Sequence, residues 1–226
     1  MGPRSPHGTS GTFVTAARGA PLSAERFEDD RPLDQAGWEE VQRAARDLVP
    51  LAEAELRYCP RSRATGDALG YAPPAQLALR DCGMGRWRGL TPGEAMAREP
   101  QAVDAWLADP RVTPHGGESL LAFIARVGRW LDTRPVEDGG RIVAVTEPSV
   151  IRAALVYALK APPATYWSID VCALSTTTVT GRAGRWSLRL ESGRLSRRAR
   201  SPSSAPGPSP GRAPATPSAS GRRPGP

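Results

Sequence analysis

The stretch "RIVAVTEPSVIRAALVYALK", residues 141–160, decides the fold class of this chain. Its first six residues are almost continuously apolar, which is typical of a strand that is covered on both faces of a sheet. From Ser149 onward the apolar residues recur at helical spacing, and Ser149 is expected to cap that helix. A buried strand that leads directly into a helix indicates an α/β domain with parallel strands.

The same alternation of strand and helix continues on both sides of this stretch. Strands are predicted at residues 12–16 and 54–59, and residues 173–181 and 185–191 are predicted to form a late hairpin. Helices are predicted at residues 35–49, 61–70, 91–97 and 119–133, of which the last has the most extensive apolar face. We therefore expect an α/β three-layer sandwich, in which helices flank a mostly parallel central sheet.

The chain has 226 residues and a net charge of +7, but this charge is unevenly distributed. No acidic residue follows Glu191, whereas seven arginines do, and the rest of the chain carries 23 basic and 23 acidic residues. Residues 193–226 are rich in Pro, Ser, Gly and Arg and are predicted to be a disordered basic tail. Residues 1–11 are predicted to be a disordered extension, so a single domain is expected at residues 12–192.

The composition also bears on location and on metal binding. No apolar run approaches the roughly 20 residues that span a bilayer, and the first residues lack the apolar segment of a secretory signal. Cys59, Cys82 and Cys172 are far apart and not at metal-ligand spacing, which is typical of reduced thiols that are buried or half-buried. We expect a cytoplasmic protein without a membrane partner, a bound metal or a cofactor.

Five segments of the chain occur in an order and at a spacing that resemble a known family. They are "RFEDDRPLDQAG", "RSRATGDALG", "LRDCGMGRWRG", "PHGGESLLAFIARVGRWLD" and "VAVTEPSVIRAALVYAL". Over residues 12–190 the chain resembles the histidine phosphatase superfamily, which has the phosphoglycerate mutase-like fold. The resemblance implies a histidine in an Arg-His-Gly motif that attacks phosphorus, two arginines and a second histidine that bind the phosphate, and a carboxyl group that protonates the leaving oxygen.

Four positions that the resemblance makes important do not carry the expected residue. The segment "FVTAARG" sets Thr15 at the position of the motif arginine, Ala16 at that of the nucleophilic histidine and Ala17 at that of the motif glycine. Glu147 falls at the position of the second histidine, where a carboxylate would repel a phosphate group. The chain therefore resembles a degenerate member of the family that lacks both catalytic histidines.

Other positions keep residues that could still form a site. The resemblance gives Arg61 the role of a phosphate-binding arginine and Asp81 the position of the general acid. Arg18 is a candidate to restore part of the lost positive charge, and His115 lies in a loop that resembles the substrate-side wall of the family's pocket. His7 is followed by glycine, but it lies among prolines with no strand to hold it and is not expected to be the nucleophile.

Structural roles remain open for three of these residues. Arg61 is also consistent with a solvated surface position, Asp81 with an ion pair to Arg80 or Arg86, and Glu147 with stabilisation of a helix N-terminus. Five tryptophans are expected to be packing anchors, not ligand platforms: Trp38, Trp87, Trp106, Trp130 and Trp167.

Three functions from different classes follow from these observations. The first is a protein that has lost phosphohistidine-dependent activity and keeps a pocket for a partner or for a small-molecule ligand, phosphorylated or not. The second is an enzyme in which Asp81 and Glu147 share acid and base work on an uncharged or cationic substrate. The third is weak, salt-sensitive binding of nucleic acid or anionic surfaces by the tail, which we do not expect to be the main function. The sequence leaves the oligomeric state open.

Overall fold

The computed structural model of the protein describes residues 9–15, 26–28, 33–48, 56–58, 63–69, 76–133 and 141–190. Of the residues predicted to form the site, Ala16, Arg18 and Arg61 lie outside these ranges. The predicted tail lies outside them as well. The chain divides by its internal contacts into a unit that ends at Glu191 and the segment that follows it.

The described residues contain five strands, which form one sheet. The strands are β1 (Thr9–Thr15), β2 (Leu56–Tyr58), β3 (Arg141–Thr146), β4 (Thr176–Arg182) and β5 (Arg185–Arg189), in the order β2-β3-β1-β4-β5. Strand β3 is parallel to both β1 and β2, whereas β4 is antiparallel to both β1 and β5.

The sheet is therefore mixed, and the prediction of a mostly parallel sheet was wrong in this respect. The tight turn at Gly184, which has a φ of +71°, forces β5 to run back along β4. Because β4 itself pairs antiparallel to β1, the predicted hairpin forms an antiparallel half of the sheet. A second correction concerns β1, which begins at Thr9, so that residues 9–11 belong to the sheet and not to a disordered extension.

Six α-helices are present in the described residues. They are α1 (Gln35–Leu48), α2 (Arg63–Ala68), α3 (Pro92–Arg98), α4 (Pro100–Ala108), α5 (Leu120–Asp132) and α6 (Pro148–Ala158). Thr91 and Glu94 cap α3 reciprocally, as their spacing predicts. The sequence analysis did not predict α4, in which Pro100 occupies the first helical position.

Helix α6 begins earlier than expected. Its N-cap residue is Glu147, and Pro148 takes the first helical position, where the absence of an amide hydrogen costs nothing. Ser149 is therefore inside the first turn, and the prediction that it caps the helix was wrong. This shift leaves the Ser149 hydroxyl available for another partner.

Successive residues of the central strands enter two separate cores. Phe13 packs in one core with the apolar residues of α5 and α6. The next residue, Val14, packs in the other core with Val41 of α1, Leu69 and Val145. Since side chains alternate along a strand, helices must cover both faces of the sheet. The predicted three-layer α/β sandwich is confirmed.

The tryptophans mostly follow the prediction that they are packing anchors. Trp87, Trp106 and Trp130 are buried, and Trp167, although 37% exposed, has its ring centroid 4.8 Å from that of Trp106, whereas Trp38 is 38% exposed. On α1 the core is contacted instead by Val41, Ala44 and Ala45.

The described residues contain no helix that is long and apolar enough to cross a membrane. Within the same ranges no group of three His, Cys, Asp or Glu side chains could hold a metal ion. Cys82 is buried, as expected, but Cys172 is exposed, which contradicts the prediction for that thiol, and Cys59 lies outside the described residues.

Candidate functional site

The candidate site lies at the edge of the sheet where β1 and β3 end. The two strands are parallel and in register, with Thr15 opposite Thr146, so their carboxyl ends meet. Ligands of open α/β sheets bind outside this edge. Thr146 is fully buried and its Oγ1 donates to the carbonyl oxygen of Leu79 at 3.2 Å. This bond fastens the loop that contains Asp81 to the strand ends.

Asp81 is half-buried and directly faces the start of α6. Its Oδ1 accepts a hydrogen bond from the Ser149 hydroxyl at 2.5 Å and another from the Cys82 amide at 2.8 Å. The first distance is in the range of hydroxyl-to-carboxylate bonds, which are stronger than neutral ones. The structure therefore brings Asp81, the predicted acid position, to the first turn of α6. The sequence analysis had not identified Ser149 as its partner.

Glu147 is half-buried at the N-cap of the same helix. Its carbonyl oxygen accepts from the amides of Val150 and Ile151, but its side chain makes no capping hydrogen bond. A carboxylate at this end of a helix is favoured by the helix dipole. Because Ser149 lies two residues after Glu147 and contacts Asp81, this hydrogen bond brings Asp81 to the first turn of the helix that Glu147 caps.

Thr15 ends β1 with its side chain fully buried. Its Oγ1 lies 3.1 Å from Ser175 Oγ and 3.3 Å from the Ser175 carbonyl oxygen, and its amide donates to that carbonyl at 2.9 Å. The hydroxyl is thus used to join β1 to the segment before β4. A role for Thr15 in ligand binding stays a prediction, and the structure gives its side chain no exposed surface.

His115 lies in an aromatic cluster and is only 1% exposed. Its ring centroid is 4.9 Å from that of Trp87 and 5.8 Å from that of Trp106. Nδ1 accepts a hydrogen bond from the Gly117 amide at 3.0 Å, so the neutral ring carries its proton on Nε2. Nε2 has no hydrogen-bond partner among the described residues.

The surroundings of His115 also disfavour its charged form. Burial lowers its pKa, the positive charge of Arg86 lowers it further, and Glu28 opposes these effects only in part. The prediction that His115 binds a ligand is not tested by this geometry, but the imidazole is buried among tryptophans and is not on an open wall.

Two groups near Asp81 were not found from the sequence. Tyr166 is buried, and its pKa is raised by burial and then by the nearby Asp81 and Cys82, while Arg152 acts in the opposite direction. Arg126 and Glu118 form an ion pair whose side chains are only 15% and 14% exposed. The one available signal was Arg126 on helix α5, eight residues after Glu118, although α5 also contains Arg129.

Comparison with known proteins gives one family. The model of the histidine phosphatase superfamily, branch 1, matches residues 23–192, a range that begins after the segment "FVTAARG". A bifunctional protein of Mycobacterium tuberculosis is 32% identical over 170 residues, which cover 65% of this chain and 47% of that protein. The chain thus spans about half the length of this relative. A glucosyl-3-phosphoglycerate phosphatase of Mycolicibacterium vanbaalenii is 30% identical over 154 residues, covering 62% of this chain and 68% of that enzyme.

Solved structures show the same fold. A mycobacterial glucosyl-3-phosphoglycerate phosphatase in complex with VO3 has a TM-score of 0.66 and 25% identity, and the match covers 80% of this chain and 97% of that one. The alpha-ribazole phosphatase of Shigella flexneri has a TM-score of 0.64, and the match covers 80% of this chain and 95% of that one. Its identity of 16% supports the fold alone.

Proposed function

The chain belongs to the histidine phosphatase superfamily, and on this premise we propose that it has lost the phosphohistidine chemistry of the family while keeping the site as a place for a small ligand. The ligand site is the edge of the sheet formed by Asp81, Ser149 and Glu147. The ligand is a small molecule, and neither a metal nor a cofactor is part of the proposal.

The observation that carries the proposal is the position of the two histidines of the chain. His115 is 1% exposed and packed against two tryptophans, which leaves no path for an in-line attack on a phosphate ester. His7 precedes β1 and is not at the strand end that the family uses. A phosphoryl group bound beside Asp81 would have no imidazole to receive it.

The charge of the site supports the same proposal. Asp81 and Glu147 bring two carboxyl groups to an edge where the family collects cations, and Thr15 uses its hydroxyl for Ser175. Two like charges about 4 Å apart repel each other by roughly 1 to 4 kcal/mol at a partly hydrated site. An uncharged or cationic ligand therefore fits this edge better than a phosphate does.

The first experiment measures phosphate release from p-nitrophenyl phosphate and from glucosyl-3-phosphoglycerate. Two relatives are named as phosphatases of the second compound. We expect the full chain to release no more phosphate than its Asp81→Asn variant. Asp104→Asn is the matched control, because Asp104 is exposed on α4. Turnover that persists in Asp104→Asn and disappears in Asp81→Asn would contradict the proposal, as would a phosphohistidine found by mass spectrometry.

A second experiment tests the role of charge. We expect Glu147→His to raise the affinity for inorganic phosphate by roughly fivefold to a thousandfold, which corresponds to the 1 to 4 kcal/mol of removed repulsion. Isothermal titration calorimetry measures this change. Glu39→His, on the exposed side of α1, makes the same substitution away from the site and should leave the affinity unchanged. Equal affinities in the wild type and Glu147→His would mean that Glu147 does not face the ligand.

One observation favours a second candidate function, which is an enzyme with altered acid and base chemistry. The hydrogen bond from Ser149 to Asp81 brings this carboxyl to the helix that Glu147 begins, so the two groups could divide the roles of acid and base. A panel of uncharged p-nitrophenyl esters and glycosides tests this function. It is supported if turnover has a bell-shaped pH profile that loses one limb in Asp81→Asn and the other in Glu147→Gln.

A further inference from the structure

The guanidinium of Arg126 makes five hydrogen bonds, which equals its number of N–H donors. Two go to Glu118, from Nε to Oε1 at 2.9 Å and from Nη2 to Oε2 at 2.7 Å. The other three go to backbone carbonyl oxygens: Nη1 donates to Ala78 at 2.8 Å and to Arg80 at 3.1 Å, and Nη2 donates to Asp81 at 3.1 Å. Arg126 therefore binds the backbone of the segment that carries Asp81.

The backbone of this segment has little regular structure to hold it. A single 3-10 turn ends at Leu79, and the chain is extended at Arg80. The planar fork of an arginine can meet several carbonyls at fixed angles, which the point charge of a lysine cannot do. The three bonds from Arg126 thus replace the hydrogen bonds that a strand or helix would have supplied.

Glu118 binds both the guanidinium of Arg126 and the part of the same loop that follows Asp81. Its Oε2 also accepts from the Gly83 amide at 3.4 Å, and its own amide donates to the Gly83 carbonyl oxygen at 2.6 Å. Burial raises the pKa of Glu118, but the hydrogen bond and charge of Arg126 outweigh this effect, so the group stays ionised. A Cβ at Gly117 would collide with the Gly83 carbonyl, which shows how closely the two loops pack.

We propose that Arg126, oriented by Glu118, is a positioning residue that holds the Asp81 carboxylate at the candidate site. The backbone on both sides of Asp81 is fixed by this ion pair, and the carboxylate itself is fixed by Ser149 and the Cys82 amide. The inference rests on the proposed function only in taking Asp81 as part of the ligand site. It concerns where the carboxylate is, not what it binds.

The test uses the full chain labelled with 13C at the aspartate carboxyl carbons, and NMR spectra of variants. The resonance of Asp81 is assigned as the one missing in Asp81→Asn, and Ser149→Ala shows where it moves when its hydroxyl partner is lost. In Arg126→Lys we expect this resonance to shift by more than its linewidth in a protein that is still folded. In the Ser149→Ala background the effect of Arg126→Lys on the resonance should be smaller, because both act on the same carboxylate.

Arg111→Lys is the matched control. Arg111 makes a two-point contact with Asp109, but the pair is on the surface, with Arg111 77% exposed. This variant should leave the Asp81 resonance where it is. A purely structural ion pair at Arg126 would lower the unfolding temperature without moving the Asp81 resonance, and that result would overturn the proposal.

If Arg126→Lys does not fold, Glu118→Gln decides the question, because one acceptor of the guanidinium becomes a donor. An unmoved Asp81 resonance in folded Glu118→Gln would equally overturn the proposal. The measurement needs no ligand, so it can succeed even if the chain proves to be an active phosphatase or to bind nothing.

Discussion

The surroundings of the His115 imidazole favour its neutral form, because burial and the charge of Arg86 lower its pKa. Nδ1 accepts from the Gly117 amide, and protonation of Nδ1 would set two donors against each other. The neighbouring rings of Trp87 and Trp106 offer no hydrogen-bond acceptor to a protonated imidazole. The positive charge of Arg86 also disfavours a charge on His115. The imidazole of His115 is therefore part of the packed core.

This arrangement predicts a pH-dependent stability. The pKa of His115 is lower in the folded protein than the ordinary value of 6.5, so the unfolded chain binds more protons as the pH falls below that value. The contribution of neutral His115 is therefore fully present above pH 6.5 and is lost as the pH falls towards the folded pKa. Urea unfolding at pH 7 and pH 5 should show a loss of stability at the lower pH.

The variant His115→Asn separates the contribution of His115 to the pH dependence of stability from the titration of other groups. Asparagine keeps an acceptor for the Gly117 amide but does not titrate, so the variant should lose less stability between the two pH values. At pH 7 it should be less stable by roughly 1 to 3 kcal/mol, since two aromatic contacts worth about 0.5 to 1.5 kcal/mol each are removed. His7→Asn is the control, and identical pH slopes in His115→Asn and wild type would refute the assignment.

At the scale of elements, the carboxylate of Asp132 joins the end of α5 to α6 and to the hairpin of β4 and β5. Asp132, the last residue of α5, accepts from the Tyr157 hydroxyl of α6 at 2.5 Å and from the Gly184 amide and Trp186 Nε1 of the hairpin at 2.9 and 2.8 Å. Burial raises the pKa of Asp132, but these three hydrogen bonds outweigh it and lower the pKa. Gly128 allows the same two helices to approach, because a Cβ there would meet the Tyr157 ring.

Removing this carboxylate should loosen the hairpin more than the helices. In Asp132→Ala three donors lose their acceptor, and we expect a loss of about 2 to 4 kcal/mol in the free energy of unfolding. Amide exchange at Gly184 should accelerate more than exchange in the middle of β3. Asp104→Ala, an exposed position on α4, should leave both quantities unchanged. Equal effects of the two variants would mean that Asp132 does not join these elements.

At the scale of the whole molecule, net charge and fold are properties of different parts of the chain. The residues up to Glu191 carry equal numbers of basic and acidic side chains, and the seven unbalanced arginines follow them. Polyanion binding by this chain is therefore expected to be weak, sensitive to salt and independent of the sheet.

Deleting residues 193–226 should remove this binding. In the full chain, binding to heparin should fall steeply with salt, since each contacting arginine adds roughly 0.7 to 0.9 to the slope of log affinity against log salt concentration. The shortened chain should show no such binding at low salt, with an unchanged unfolding temperature. A full chain in which the seven arginines are glutamines should behave like the shortened one. Binding that survives in the shortened chain would place it on the folded residues.

The sequence alone determined most of the elements and their layers, although it did not predict α4. The apolar run of β3, the stripe of α5 and the capping box at Thr91 are local patterns, and local patterns state which backbone conformation a segment adopts. The absence of a histidine from residues 13–19 is likewise readable without coordinates.

Only the tertiary structure decided which side chains meet. The antiparallel half of the sheet, the burial of His115 between two tryptophans and the bond from Ser149 to Asp81 join residues that are far apart in the chain. Arg126 reaches the Asp81 loop across 45 residues. Such contacts depend on how the finished layers pack, and no periodicity within one segment encodes the partner that it will find in another.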